Sequence, residues 1–293
     1  MISEERYKRV EKLIENYLDQ KPAENLNETI EILMDAQQLE KDIFESIKKG
    51  NFEMTYQPKF ELNGKEKTTR SAEALFRAKE EYPVNPEVVF VLLKKFKHEK
   101  EVLLNYQLPV ICRDIAKLKN SFGDDYRVSI NVASELLNDE FYNKLKSELD
   151  KNHIGFKNIE IEFLESENFE GMDKIPMINK LKSEGVLFAL DDYGSRNADK
   201  YALSSMQFDV VKIDKGVLET ARKNDDYSTI QKMANLAKKK NPNVKVVVEG
   251  IDSDKDIENL KKIGGIIYQG WKFSKAIPSD KLIEKFGAKQ MGE

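Results

Sequence analysis

The chain has 293 residues, enough for one large domain or two small ones and for a substantial core, and its 40% hydrophobic and 34% charged residues are those of an ordinary globular protein. Net charge is −4 with no concentrated basic face, which gives no support to general nucleic-acid binding, and no apolar run reaches the ~18 residues of a membrane-spanning helix. One cysteine and two histidines, His98 and His153, exclude an internal disulfide and argue against zinc-histidine or histidine-based nucleophilic sites. Metal chemistry would fall to carboxylates, which favour hard cations such as Mg2+ or Mn2+. The N-terminus is charged from its first residues and lacks the apolar stretch of a secretory signal, so a cytoplasmic location is the expectation. Cys112, in the helical run PVICRDIAKL, reads as a small buried apolar residue.

In chain order, residues 4–19 place Tyr7, Val10, Leu13, Ile14, Tyr17 and Leu18 at helical spacing, and QKPAENLN interrupts them. A second helix carries Ile30, Leu33, Ala36, Leu39, Ile43, Phe44 and Ile47 on one face and stops at Gly50. Two strand-like runs follow, FEMTYQPKFEL and TTRSAEALFRA, joined around Asn63-Gly64. That dipeptide is a strong hairpin signal, so the two strands should be antiparallel. Strands and helices then alternate, with strands at 127–133, 159–165, 186–192, 210–214, 244–250 and 266–271. Helical stretches such as ELLNDEFYNKLKSELDKN and YSTIQKMANLAKKKN lie between them. Mostly apolar strands alternating with helices imply a parallel sheet covered by helices. Two hairpin strands plus six more make eight, the number of a closed α/β (β/α)8 barrel, here with a first strand running against the rest. The expected organisation is an N-terminal helical extension over 1–29 and a barrel domain over 30–293.

An acid or amide closes almost every apolar run: Glu73, Asn131, Glu162, Asp191 with Asp192, Glu249 and Gln269. Lys212 joins them in VVKID. Barrel enzymes build their sites at the C-terminal ends of several strands. A single acid there is ordinarily a turn or cap residue, Arg77 and Lys212 alone read as surface cations, and Glu160 and Glu165 beside Glu162 show how common acids are in this chain. Recurrence at the same end of successive strands points elsewhere. Converging carboxylates are costly unless paired or metal-bound, and two divalent ions about 3.5–4 Å apart are a common arrangement for phosphoester hydrolysis.

These residues also carry a family resemblance. Glu73-Ala74-Leu75 extends to EALFR with Arg77, after Tyr56-Gln57-Pro58. SINVAS contains Asn131, EFLE contains Glu162 and Glu165, and DDYGSR contains Asp191 and Asp192. Lys212-Ile213-Asp214 follows, then EGID with Glu249 and Asp252, then QGW with Gln269. In this order and spacing, over roughly residues 30–285, the chain resembles the EAL domain family of cyclic-di-GMP phosphodiesterases. The resemblance implies a TIM-like barrel of EAL type with an antiparallel first strand. It implies that Glu73, Asn131, Glu162 and Asp191 ligate one Mg2+ or Mn2+, with Asp192 and Asp191 serving a second. It makes Glu249 and Lys212 contacts of the attacking water, with Glu249 the general base, and counts Glu73 with the catalytic set. Gln57, Arg77, Asp214 and Gln269 are implied to bind the dinucleotide, which is opened to linear pGpG.

The sequence departs from the family's pattern around this set. Arg196 stands where the loop after the Asp pair has its second glycine, and Leu164 and Ala133 replace a threonine and a serine. Leu93-Lys94 takes the place of an Ala-Glu pair, and Ala78 that of a tryptophan. A site present but poorly supported can bind without turning over. The alternative expectation is therefore a catalytically weak or inactive domain acting as a cyclic-di-GMP receptor or as a protein-interaction module. The partners expected are cyclic-di-GMP and a second copy of the chain, joined through the barrel or the N-terminal helix, without nucleic acid or membrane.

Overall fold

The computed structural model describes residues 7–12, 14, 26–63, 66–82, 84–164, 174–195 and 206–287. Most of the expected helix at 4–19, the Asn63-Gly64 turn beyond Asn63, Glu165 and the loop containing Arg196 and Asn197 lie outside the described residues. The chain divides into two compact units, residues 1–54 with 76–110 and residues 55–75 with 111–293.

In the first unit, helix α1 (Leu26–Lys48) ends just before Gly50, whose φ of 77° only glycine adopts without strain. Helix α2 (Pro86–Lys95) starts with Pro86 behind Asn85, whose side chain accepts the Glu87 N–H at 2.9 Å. Leu39 and Ile43 from α1 and Val88, Val89, Leu92 and Leu93 from α2 form its core. Residues 7–12 are helical and belong to this core, with Val10 buried and Arg9 3.0 Å from Asp35 of α1. His98 stacks on Phe44 and pairs with the buried Glu40 carboxylate.

The strands are β1 (Phe52–Asn63), β2 (Glu66–Ala78), β3 (Arg127–Asn131), β4 (Ile159–Leu164), β5 (Leu187–Tyr193), β6 (Val210–Ile213), β7 (Lys245–Val248) and β8 (Ile266–Tyr268). They close in sequential order into an eight-stranded barrel. Every pair from β2–β3 to β7–β8 is parallel and β1 pairs antiparallel with β8, so the expected antiparallel first strand is the one observed. Side chains alternate along each strand. Ile159, Ile161 and Phe163 on β4 and Phe188 and Leu190 on β5 face outward and are fully buried. In the first unit α3 (Glu99–Val102) continues through a π-turn at Leu103–Gln107 into α4 (Leu108–Phe122). The later helices bury their own apolar faces: α5 (Asp139–Lys151), α6 (Ile175–Ser183), α7 (Lys215–Asn224), α8 (Ser228–Lys240), α9 (Asp254–Lys261) and α10 (Ser279–Phe286). Cys112 on α4 is buried, and burial pushes its thiol up to about 12. Each fully buried Leu, Ile or Phe of this layer contributes roughly 1.5–3 kcal/mol relative to exposure.

Two boundaries differ from expectation. The single helix expected over 135–152 is a short turn, Ser134–Leu136, followed by α5, because the Asn138 side chain accepts the Phe141 N–H and starts a new helix there. The last strand stops at Tyr268, not at residue 271. Gly270 lies so close to the Ile251 backbone that a Cβ would come within 2.1 Å of the Ile251 oxygen, so the chain turns along the barrel mouth there.

Candidate active site

Each of the eight strands delivers at least one polar side chain to the C-terminal mouth of the parallel strands: Gln57, Glu73, Asn131, Glu162, Asp191, Lys212, Glu249 and Gln269. Glu249 and Gln269 lie one residue past their strands, and their N–H groups extend the ladder to Ile213 and Val248 at 3.1 and 3.0 Å. Register brings neighbours level, pairing Asn131 with Glu162 and Lys212 with Val247, two residues short of Glu249.

At the centre is the Lys212 ammonium, almost fully buried. It lies 2.8 Å from Asp191 Oδ1, 2.9 Å from Glu162 Oε2, 2.9 Å from Glu249 Oε1 and 3.2 Å from Glu73 Oε2. Gln269 Nε2 donates to Glu73 Oε2 at 2.7 Å and to Gln57 Oε1 at 3.3 Å, and Asn131 Nδ2 donates to Glu73 Oε1 at 3.3 Å. Gln269 Oε1 is buried and accepts no hydrogen bond among the described residues, which leaves an acceptor for a ligand.

Asp191 and Asp192 would point to opposite faces of a regular strand. The β5–β6 register shifts between Leu190 and Tyr193, and Asp192 takes φ 55°, in the left-handed region that non-glycine residues rarely enter. That irregularity turns both carboxylates toward one site. Gly194, at φ 90°, completes the turn. Ligand atoms of Glu73, Glu162 and Asp191 then lie within 4.8 Å of one another, as do those of Asp191, Asp192 and Glu249. Each triad offers the oxygen donors that a hard divalent cation takes.

The electrostatics agree. Burial raises Asp191 well above the usual carboxylate range, with Glu249 and Glu162 adding to it against the pull of Lys212. Burial also raises Asp192, and raises Glu249 to about 7 against the opposing pull of Lys212. Glu162 goes the other way: Lys212 and Lys59 overcome burial and hold it at about 2. Lys212 stays charged because its four carboxylates outweigh its burial. One central ammonium among this many acids leaves excess negative charge that cations would offset.

Lys59 is a site residue the sequence reading missed. Its ammonium, inside the barrel and about as buried as that of Lys212, lies 2.8 Å from Glu160 Oε1, 2.8 Å from Glu162 Oε1 and 3.0 Å from Ser129 Oγ. Glu160, which by sequence is one more of many acids, is thus an interior partner. The available signal was parity, since Lys59 and Gln57 share a face of β1 and Glu160 and Glu162 share one of β4.

Asp214 accepts the Gly216 N–H at 2.9 Å and caps α7. Arg77 is on β2 with the same parity as Glu73, in the first unit, where its Nη1 donates to the Phe76 carbonyl at 3.0 Å. Asp252 pairs with Arg222 at 3.0 Å. Arg222 also donates to Gly250 O at 2.7 Å and holds Asp256 through two bonds, which fixes the loop just after Glu249.

The chain belongs to the EAL domain family, whose model matches residues 40–276. Among curated relatives, it is 24% identical over 84% of its length to cyclic di-GMP phosphodiesterase NbdA of Pseudomonas aeruginosa, and 28% identical over 53% of its length to probable cyclic di-GMP phosphodiesterase PdeB of Escherichia coli. It spans 32% and 30% of the lengths of those two proteins. Among solved structures, EAL enzyme Bd1971 in a cAMP- and cyclic-di-GMP-bound form aligns over 86% of this chain and 69% of its own at TM-score 0.77 and 23% identity. PaMucR phosphodiesterase in complex with c-di-GMP aligns over 84% of this chain and 99% of its own at TM-score 0.72 and 22% identity. No helix among the described residues is long and apolar enough to cross a membrane.

Proposed function

We propose that the chain is a metal-dependent phosphodiesterase that opens cyclic-di-GMP to linear pGpG. The observation that carries this reading is the pair of carboxylate triads sharing Asp191, set around Lys212 at a mouth to which all eight strands contribute. Glu73, Asn131, Glu162 and Asp191 would hold one Mg2+ or Mn2+, and Asp191 with Asp192 a second. Cations bound there supply positive charge to the phosphodiester and favour deprotonation of water. Glu249 takes the proton of the attacking water as that oxygen bonds to phosphorus, and the P–O3′ bond breaks as O3′ takes a proton from solvent water. The Lys212 ammonium, 2.9 Å from Glu249 Oε1, keeps that carboxylate oriented toward the attacking water. Gln57, Arg77, Asp214 and Gln269 are assigned to the dinucleotide, Arg77 through a charge-assisted contact to phosphate. The names of the two curated relatives and of the two aligned structures support cyclic-di-GMP as the ligand.

One observation favours a second reading. Lys212 already pairs with four carboxylates and offsets part of their charge, as a receptor that binds cyclic-di-GMP without hydrolysing it would need. Incubation with cyclic-di-GMP and Mg2+ or Mn2+, with products separated by chromatography, distinguishes the two. The enzyme reading expects pGpG, lost with EDTA and in Glu73→Ala. Tight binding without product would replace it with the receptor, and no binding with a protein-interaction module.

A further inference from the structure

Resting on the reading of Glu162 as a metal ligand, we propose that Lys59 is a positioning residue, which sets the Glu162 carboxylate from inside the barrel. Lys59 enters from β1, the one strand that runs against the others, so its side chain reaches the interior one step below Gln57. There its ammonium takes Glu162 Oε1 at 2.8 Å while Lys212 takes Oε2 at 2.9 Å. A carboxylate held at both oxygens cannot rotate, and this one is fully buried. The same ammonium binds Glu160 Oε1 at 2.8 Å and Ser129 Oγ at 3.0 Å, which keeps Glu160 below the mouth and apart from the two triads. Among the described residues the Lys59 ion pairs are to Glu160 and Glu162, so its influence on a bound ion would pass through Glu162.

Partners that orient a ligand typically change metal affinity by about 10–100-fold when removed. Lys59→Met keeps the unbranched stem and removes only the ammonium, but it strands two buried acids and can fail to fold. Lys59→Met/Glu160→Gln removes one charge of each sign and leaves Glu162 with Lys212 alone. Glu160→Gln by itself leaves Lys59 on Glu162. Mn2+ affinity is read by electron paramagnetic resonance of the free ion, with circular dichroism confirming the fold. The expected result is a folded double variant that binds Mn2+ about 10–100-fold more weakly than wild type, with Glu160→Gln within about twofold of wild type. Wild-type or tighter binding by the folded double variant would overturn the proposal, as would an equal loss in Glu160→Gln alone. An unfolded double variant would also overturn it, since Lys59 would then serve the fold. Wild-type protein that binds no Mn2+ would remove the metal reading itself and the proposal with it.

Discussion

The two halves of the barrel interior, one step below the mouth, are built on opposite principles. On β5 to β8 the residues two positions before Asp191, Lys212, Glu249 and Gln269 are Ala189, Val210, Val247 and Ile267, and they pack together as an ordinary apolar layer. On β1, β3 and β4 the corresponding positions are Lys59, Ser129 and Glu160, and they form a buried ionic cluster. Strand alternation is the same in both halves. The apolar half stabilises by area removed from water, without direction. The ionic half gains little net stability, since the cost of desolvating two charges offsets most of their attraction, but its geometry is directional. The direction is toward Glu162, which both lysines hold.

Four substitutions test this contrast, in falling order of effect. Lys212→Met removes the cation shared by the mouth acids and should lower turnover about 10²–10⁴-fold. It should also destabilise metal-free protein by about 3–5 kcal/mol in urea denaturation, the usual cost of breaking a buried pair from one side, with part of the loss restored by Mn2+. Val247→Ala, in the apolar half, should cost about 2 kcal/mol and leave Mn2+ affinity unchanged, because it leaves a small cavity and disturbs no charge. Equal Mn2+ losses in Val247→Ala and in the Lys59 double variant would erase the distinction between the halves. Arg222→Met frees the loop after Glu249 and should cost about 1–2 kcal/mol at pH 7, below a fully buried pair because Arg222 is partly exposed. Its pH dependence has a definite sign. Hydrogen bonds from Arg222 and Ser253 overcome burial and hold Asp256 well below the usual carboxylate range. Its contribution is therefore full above the unfolded carboxylate pKa and declines as pH falls below it. The stability difference between wild type and variant should shrink between pH 5 and pH 3, and a constant difference would contradict the pairing. Glu284→Gln, in an exposed pair with Lys281, should leave the urea midpoint unchanged, because solvent screens the pair.

The barrel was legible in the sequence because its signals were local. Alternating apolar runs and Asn63-Gly64 set the strand count and the reversed first strand, and the strand-end acids stood in motif order. Three features were not legible. The bulge that turns Asp191 and Asp192 to one side depends on β6 pairing and on Asp192 at positive φ, which no composition cue announces. Lys59 sits in a strand run where a lysine reads as exposed, and only barrel closure puts it against Glu160 from a hundred residues away. The Arg222–Asp256 clamp joins two helices whose charges look like ordinary solvated ones.

On this reading the mouth gathers its acids to hold divalent cations. Anomalous scattering from crystals soaked in Mn2+ tests it most directly. The account predicts one peak among Glu73, Glu162 and Asp191 and a second among Asp191, Asp192 and Glu249. Saturating Mn2+ that leaves the mouth without a peak, its acids still paired to Lys212, would contradict it.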